Sequence, residues 1–211
     1  MPMPAPRAIM ALFALALMTA CANVAPPPQL ELGGRTCEAK AYLAAARPLP
    51  FPTKDAEPVV VDVDAASPCL QEEGAPGSIY LVFALPVTVE TYFISVASTP
   101  VGQGVFPPRI GLLDADGAPM REIMMSGMLF RGTDLTAEFR SHAGERYLLV
   151  KSDKNFVGQK ISRVAVGINQ SGFMLGSAYV PIYRGTDAIS TLTYSYNGKI
   201  TVTVRPPQAA Q

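Results

Sequence analysis

The chain has 211 residues, of which 49% are hydrophobic and 16% are charged, and its 17 Lys and Arg residues balance its 17 Asp and Glu residues. A formal net charge of zero argues against a general nucleic-acid-binding protein, because phosphate contacts need a basic excess. The low charge and high apolar content together argue against intrinsic disorder. The single histidine, His142, excludes a histidine-rich metal site and any catalytic design that needs two histidines.

Residues 1–20 are typical of an export signal. Arg7 precedes an apolar run over residues 8–18, which is shorter than the roughly 20 residues that a membrane-spanning helix needs. The run fits the apolar region of a secretory signal peptide. Met18-Thr19-Ala20-Cys21 then resembles the bacterial lipobox, whose cysteine is acylated and begins the mature chain. We therefore predict lipidation at Cys21, with palmitate among the acyl chains; an ordinary cleaved signal is the alternative.

Lipidation at Cys21 predicts a periplasmic protein held at a membrane. One acyl chain gives marginal binding, whereas two or more chains anchor a protein stably, and a bacterial lipoprotein N-terminus carries three. Ala22 is not the aspartate that commonly retains lipoproteins in the inner membrane, so we expect the inner leaflet of the outer membrane. Residues 21–35 contain three consecutive prolines and Gly33-Gly34, which predicts a tether between the membrane and the folded domain.

The two remaining cysteines, Cys37 and Cys69, are 32 residues apart. An exported protein matures in an oxidising compartment, so we predict that they form a structural disulfide. A redox or metal site would need C-x-x-C spacing or further ligands, and the sequence offers neither. The disulfide is expected to pin the segment after the tether onto the body of the domain.

The folded domain is predicted at residues 36–205, with a flexible tail at 206–211. Residues 36–47 form the only good helical stretch, because Thr36 can cap it, its alanines favour helix and Pro48 ends it. The rest of the domain is predicted as strands. These strands are 59–64, 78–85, 88–97, 109–114, 121–130, 134–141, 146–152, 161–169, 177–183, 191–197 and 199–205.

Turn signals separate these strands at short intervals, and no helices intervene. Asp114-Ala115-Asp116-Gly117 and His142-Ala143-Gly144-Glu145 are predicted as hairpin connections, and Asn197-Gly198 as a type I′ hairpin turn. This organisation predicts an all-β fold, specifically an antiparallel, jelly-roll-like β-sandwich with one short N-terminal helix.

No catalytic or metal constellation is evident in the sequence. His142 adjoins Ser141, but neighbouring residues seldom present nucleophile–base geometry, and no G-x-S-x-G elbow occurs. The segment 114–117 resembles the start of a calcium loop, but loop position twelve is Met125 where a glutamate is needed. Asp62 and Asp64 alternate with valines, as on the solvated face of a strand. We predict no enzymatic activity, no cofactor and no metal.

Two features leave binding functions open. The tyrosines in predicted strands are assigned to core and cross-strand packing, with an aromatic platform for sugar rings as the alternative; they are Tyr80, Tyr92, Tyr147, Tyr179, Tyr183, Tyr194 and Tyr196. Residues 140–163 carry six basic side chains against two acidic ones. This segment is interpreted as a solvated loop, with a surface for anionic lipid or an acidic partner as the alternative.

Short motifs follow one another in a characteristic order between residues 67 and 161. They are Gly77-Ser78-Ile79-Tyr80, Phe83-Ala84-Leu85-Pro86, Ile94-Ser95-Val96-Ala97-Ser98, Val105-Phe106-Pro107-Pro108-Arg109, Leu112-Leu113-Asp114 and Arg146-Tyr147-Leu148-Leu149-Val150 before Lys151-Ser152-Asp153. In this order they resemble the maltose-operon periplasmic protein (MalM) family. The resemblance implies an exported β-sandwich of the envelope associated with maltose and maltodextrin uptake, and it implies no catalytic residues.

We therefore expect a lipid-anchored periplasmic accessory or binding protein of the bacterial envelope. Its expected partners are the membrane, through the lipid anchor, and an oligosaccharide or an envelope protein, but not nucleic acid. The alternative is a structural component of an envelope or secretion assembly that binds no small molecule. The absence of tryptophan favours that alternative, because sugar-binding sites commonly stack sugar rings on tryptophan.

Overall fold

The structure is a computed structural model that describes residues 32, 34–72 and 75–207. The predicted signal peptide, the lipidation site Cys21 and most of the tether lie outside the described residues, as do residues 208–211 of the predicted tail. Fourteen strands occur in the described part of the chain. They are Arg47–Pro48 (β1), Val59–Val63 (β2), Cys69–Glu72 (β3), Ala75–Ala84 (β4), Phe93–Thr99 (β5), Gly104–Val105 (β6), Pro108–Leu113 (β7), Pro119–Ile123 (β8), Leu129–Arg131 (β9), Asp134–Arg140 (β10), Tyr147–Ser152 (β11), Lys160–Leu175 (β12), Ala178–Tyr194 (β13) and Gly198–Arg205 (β14).

Two packed sheets form the body of the protein, which confirms the predicted antiparallel β-sandwich. The first sheet has the order β1-β4-β11-β7-β8, with β3 paired to β4 outside this path, and the second has the order β2-β14-β5-β10-β9. Neighbouring strands in both sheets are antiparallel, except that β1 runs parallel to β4. A third sheet, β12-β13-β6, carries a long hairpin away from this body.

Alternating burial along the strands explains why the two sheets pack against each other. Every second residue of β5, β11 and β14 is buried, as expected for strands with one face towards a core. The side chains that are fully excluded from solvent come from both sheets, and they include Ile79, Phe83, Ile94, Val96, Ile110, Leu112, Leu148, Val150, Ile200, Val202 and Val204.

Of the helix predicted at residues 36–47, only a 3-10 turn at Leu43–Ala45 forms. The backbone N–H of Glu38 donates to the carbonyl of Cys69 at 2.8 Å, and Gln71 donates back to the carbonyl of Glu38 at 2.7 Å. In a helix, the carbonyl of Glu38 would accept a hydrogen bond from the next turn, but here both backbone groups of Glu38 are bonded to β3. A twelve-residue helix is marginal in water, so tertiary pairing overrides its propensity.

Several predicted connections are wrong because the chain crosses between the two sheets there. Residues 141–146 lead from β10 in the second sheet to β11 in the first, so they do not join a hairpin. The predicted strand at 121–130 divides into β8 and β9, which belong to different sheets and flank a 3-10 turn at Met125–Gly127. The predicted strand at 88–97 begins only at Phe93, after the crossing from β4 to β5.

The Asn197-Gly198 dipeptide is also not a hairpin turn. The strands β13 and β14 are not paired with each other, and neither residue has a positive φ, which a type I′ turn requires at both central positions. Gly198 instead allows a close approach, because a Cβ atom there would lie 2.7 Å from the Cβ of buried Phe106. By contrast, the predicted 114–117 hairpin turn is confirmed between β7 and β8, with Gly117 at φ +82°.

The segment predicted as three strands between residues 161 and 197 forms one long hairpin, which we call the arm (β12 and β13). Its register runs from Lys160 opposite Thr193 to Leu175 opposite Ala178 without interruption. Gly176 and Ser177 form the two-residue turn, and Gly176 has a φ of +64°, as the first central position of a type II′ turn requires.

Candidate functional site: the arm and its tip

The root of the arm is firmly joined to the body. Tyr194 is buried and its ring packs edge-on against Phe156 with ring centroids 5.7 Å apart. Its backbone N–H donates to the carbonyl of Gln159 at 2.9 Å, and its carbonyl accepts from Gly158 at 2.8 Å. Burial raises the pKa of the Tyr194 hydroxyl, which therefore stays protonated inside this contact. The arm thus leaves the body from a fixed base.

A second set of contacts holds the first few residues of the arm. The strand β13 pairs in parallel with β6 at Thr193 and Tyr194. The Arg163 guanidinium donates to the hydroxyl of Ser190 across the arm at 2.8 Å and to the carbonyl of Thr133 on the body at 2.9 Å. Beyond Arg163, the pairings within the described part of the chain join β12 and β13 only to each other.

The far end of the arm, residues 170–182, is an uncharged and largely apolar segment that we call the arm tip. Its large hydrophobic side chains are exposed: Phe173 49%, Met174 62%, Leu175 69%, Tyr179 55% and Ile182 39%. Single exposed apolar residues are ordinary, but a contiguous group marks an interaction surface. An isolated two-stranded hairpin is also marginally stable in water, so a partner surface would stabilise this one.

Apolar side chains occupy both faces of the arm tip. The register places Phe173, Leu175 and Ile182 on one face and Met174 and Tyr179 on the other, because cross-strand partners share a face. The Tyr179 ring lies over Gly172, where no side chain competes for the space. The arm tip therefore exposes apolar side chains on both faces, unlike a strand that covers a core with one face.

The N-terminal segment joins the body at the end from which the arm leaves. The disulfide between Cys37 and Cys69, predicted from the sequence, is present. The strand β3 places Cys69 opposite Ile79, whose backbone N–H donates to the hydroxyl of Ser152 at 3.1 Å. Residue Ser152 ends β11, and the loop that follows leads directly to β12 at Lys160.

A link through Arg35 agrees with this placement. Its guanidinium donates to the carbonyl of Ser67 at 2.8 Å, in the loop that follows β2. The last residue of β2, Val63, pairs with Gly198, which follows the arm after a short connection. The chain therefore enters the body and the arm leaves it at the same end of the sandwich.

A cleft of about 220 Å³ on the outer side of the first sheet is a competing site. The Tyr80 hydroxyl donates to the carboxylate of Glu38 and accepts from the backbone N–H of Tyr42. Burial and the bond to Glu38 raise the pKa of Tyr80, so its hydroxyl stays a proton donor within the fold. These polar groups satisfy each other, which makes the cleft a structural contact between the N-terminal segment and β4.

His142 lies exposed in the crossing from β10 to β11, and its neighbourhood is structural. The Arg121 guanidinium binds the buried carboxylate of Glu145 with its Nε at 2.5 Å and its Nη2 at 3.3 Å. The same carboxylate accepts the backbone N–H of His142 at 2.8 Å. The neighbouring Ser141 hydroxyl is engaged by the backbone N–H of Tyr92 at 2.9 Å. The pair Ser141 and His142 is thus not arranged as a nucleophile and its base.

The remaining residues that the sequence singled out, where the structure describes their side chains, do not come together in one site. Tyr80, Tyr92 and Tyr194 are buried, which removes their rings from any sugar-binding platform. Asp62 is exposed on the outer face of β2, and it lies 3.7 Å from Lys199. Asp64 is exposed in the bend that follows β2. In the part of the chain that the structure describes, no group of three His, Cys, Asp or Glu side chains is placed to hold a metal ion.

The basic residues between 140 and 163 are divided between the two ends of the sandwich. Arg140 ends β10 and stacks over Phe93 at 5.0 Å, and Arg146 precedes β11 at the same end. Lys154 and Lys160 lie beyond the other end of β11, near the arm root. A single basic surface across all six residues is therefore not formed.

Comparison with known protein families, curated proteins and solved structures gave no match. The resemblance to the MalM family accordingly stays a prediction. The described residues include no helix of the length and apolarity needed to cross a membrane.

The sequence reasoning missed the arm tip because it divided the hairpin into separate strands. Two signals in the sequence point to it. The thirteen residues 170–182 contain no charged side chain, and Gly176-Ser177 separates two apolar runs, which is a hairpin signal.

Proposed function

We propose that the protein is a lipid-anchored periplasmic accessory protein of the bacterial envelope that acts by attachment through its arm and carries out no catalysis. The observation that supports this proposal is the uncharged tip, which exposes five large hydrophobic side chains at the end of a well-anchored hairpin. Of the two functions expected from the sequence, this arrangement favours the structural component of the envelope that binds no small molecule, because Tyr80, Tyr92 and Tyr194 are buried in the fold.

The anchor is tested by the mass of the mature N-terminal peptide and by cell fractionation. We expect acylation at Cys21 and recovery of the chain with the outer membrane. The matched control is Cys21→Ser, which removes the acylated atom and leaves the folded body unchanged. Recovery of the wild-type chain in the soluble periplasmic fraction with an unmodified Cys21 would contradict the proposal.

The association with maltodextrin uptake, which rests on the MalM resemblance, is tested separately. A ligand that binds the native state raises the unfolding temperature, and the shift grows with the ratio of the free ligand concentration to its Kd. We expect no shift with maltodextrins or peptidoglycan fragments if attachment through the arm is the function. A reproducible upward shift with a maltodextrin would instead favour a carbohydrate-binding accessory protein.

A further inference from the structure

We propose that the arm tip, residues 170–182, enters the headgroup region of the lipid bilayer to which the protein is anchored. The inference rests on the proposed function, because it takes Cys21 as the anchoring residue. It commits to the bilayer as the occupant of the tip, in preference to a second copy of the chain or another protein.

The distribution of apolar side chains favours a bilayer. A protein partner that docks on one face of the hairpin would leave the other face in water. Phe173 and Leu175 lie on one face and Met174 and Tyr179 on the other, so a medium that surrounds the tip buries all four at once. Because residues 170–182 carry no charge, this transfer involves no cost of desolvating a charged side chain. Tyrosine at Tyr179 suits an interface, since it offers an apolar ring and a polar hydroxyl.

The reach of the arm fits the reach of the tether. Eleven residue steps separate Cys21 from Leu32, the first described residue, which span at most about 40 Å. Twelve steps of strand, which also span about 40 Å, separate Leu175 from Arg163, whose side chain is bonded to the body. The tether and the arm meet the body at the same end of the sandwich. When the tether holds the body near the membrane, the arm is therefore long enough for its tip to reach that membrane.

The open edges of the hairpin limit the depth of insertion. In the described part of the chain, β12 pairs only with β13, and β13 pairs elsewhere only with β6 at the arm root. The outward backbone N–H and C=O groups of the tip have no strand to bind, and exposing such groups to hydrocarbon is strongly unfavourable. The headgroup region supplies hydrogen-bonding partners, so the tip is expected to stop there.

A dye placed on the tip of the full chain tests the proposal. With Cys21 acylated and Cys37 bonded to Cys69, Ser177→Cys supplies the only reactive thiol. An environment-sensitive fluorophore on it is read with phosphatidylethanolamine and phosphatidylglycerol vesicles that carry nitroxide quenchers at the headgroup or deep in the acyl chains. The matched control is Asp116→Cys, in the exposed turn between β7 and β8 at the opposite end of the sandwich.

We expect quenching at Ser177→Cys to exceed that at Asp116→Cys at least twofold and to be strongest with the headgroup quencher. Equal quenching at the two positions, or strongest quenching by the deep probe, would overturn the assignment. A Ser177→Cys dye that is already shielded without vesicles, in a sample that elutes as a dimer or larger, would show that a second copy covers the tip and would also overturn it.

A combined Phe173→Ser, Met174→Ser and Tyr179→Ser variant separates the tip from the fold. Because these side chains lie outside the core, its unfolding temperature should match that of the parent, while quenching at Ser177→Cys falls to the Asp116→Cys level. The control Val89→Ser removes a fully exposed apolar side chain at the opposite end and should leave the quenching unchanged.

The two proposals fail in different ways. An unmodified Cys21 in the mature peptide overturns the lipid anchor alone. In that case the vesicle experiment is carried out with Cys21→Ser in the background, so that the labelled position remains the single reactive thiol. An acylated Cys21 with a tip dye that does not respond overturns the bilayer inference alone.

Discussion

The backbone N–H of Ile79 donates to the hydroxyl of Ser152 at 3.1 Å, inside a buried contact between β4 and the end of β11. Ile79 also pairs with Cys69, so one short path leads from the disulfide to the loop that begins the arm. The segment after the tether and the root of the arm are therefore held by the same corner of the first sheet. This corner therefore places the N-terminal segment and the root of the arm at the same end of the protein.

Removing the disulfide should lower the stability of the body. The bond closes a sequence separation of 32 residues, and the loss of this constraint on the unfolded chain costs roughly 3–4 kcal/mol in the chain-entropy description. Cys37→Ala combined with Cys69→Ala should show this loss in urea unfolding. Reduction of the wild-type protein should produce a similar loss, and reduction of the variant should produce none. A variant as stable as the oxidised wild type would contradict the prediction.

The ion pair between Arg121 and Glu145 should contribute much more to the stability of the fold than the ion pair between Arg109 and Glu122. The Glu145 side chain is 1% exposed, so Arg121→Met leaves a buried carboxylate without its cation, which costs about 3 kcal/mol. The matched control is Arg109→Met, whose ion pair with Glu122 is partly exposed and contributes about 1 kcal/mol or less. Chemical denaturation of both variants measures the difference, and equal losses would contradict this ranking.

Stability should fall in alkaline solution through Tyr92. Burial, with the nearby Glu145 carboxylate, raises the pKa of Tyr92 from 10 to about 12. Between these values the unfolded chain loses the phenolic proton and the folded chain keeps it, so the free energy of unfolding decreases by up to about 1.4 kcal/mol per pH unit. This contribution is complete below pH 10 and is lost as the pH approaches 12.

The Tyr92→Phe variant checks this assignment by urea unfolding at several pH values from 9 to 11.5. The variant should lose stability less steeply than wild type above pH 10. Part of the slope should remain, because burial also raises the pKa of Tyr80 and Tyr194. An unchanged pH profile would show that Tyr92 is not a source of the alkaline loss.

Substitution by alanine should destabilise the protein at Gly198 but have little effect at Gly185. At Gly198 a Cβ would lie 2.7 Å from the Cβ of Phe106 and 3.1 Å from its backbone nitrogen, atoms that cannot rotate away, so Gly198→Ala should cost about 1–3 kcal/mol. At Gly185, on the arm, a Cβ would meet no atom within 4 Å, so Gly185→Ala should change stability by about 0.5 kcal/mol or less. Thermal unfolding of the pair provides the comparison, and a neutral Gly198→Ala would refute the proposed close contact.

Local patterns in the sequence were sufficient for the strand content, the sandwich class and the disulfide. The alternation of apolar and polar residues in 94–96 and 200–204 indicates a half-buried strand, because side-chain direction alternates residue by residue. Cys37 and Cys69 could be paired because only two cysteines remain once Cys21 is assigned to lipid. The turn at Asp114 and Gly117 was also predictable, since the Asp114 carboxylate accepts two nearby backbone N–H groups and Gly117 supplies positive φ.

Only the tertiary structure decided which strands pair and which segments cross between sheets. The helix expected at 36–47 is displaced by backbone bonds to Cys69 and Gln71, which no local pattern contains. Asn197-Gly198 has the dipeptide of a tight hairpin, yet its strands lie in different sheets, and Gly198 packs against Phe106. Pairing energy depends on partners far apart in sequence, so a local signal gives the presence of a turn but not the sheet to which the next strand belongs. The same limit applies to the exposed apolar tip. Its hydrophobic residues have the sequence pattern of core strands, and only the tertiary structure shows that Phe173, Met174 and Tyr179 lie outside the core.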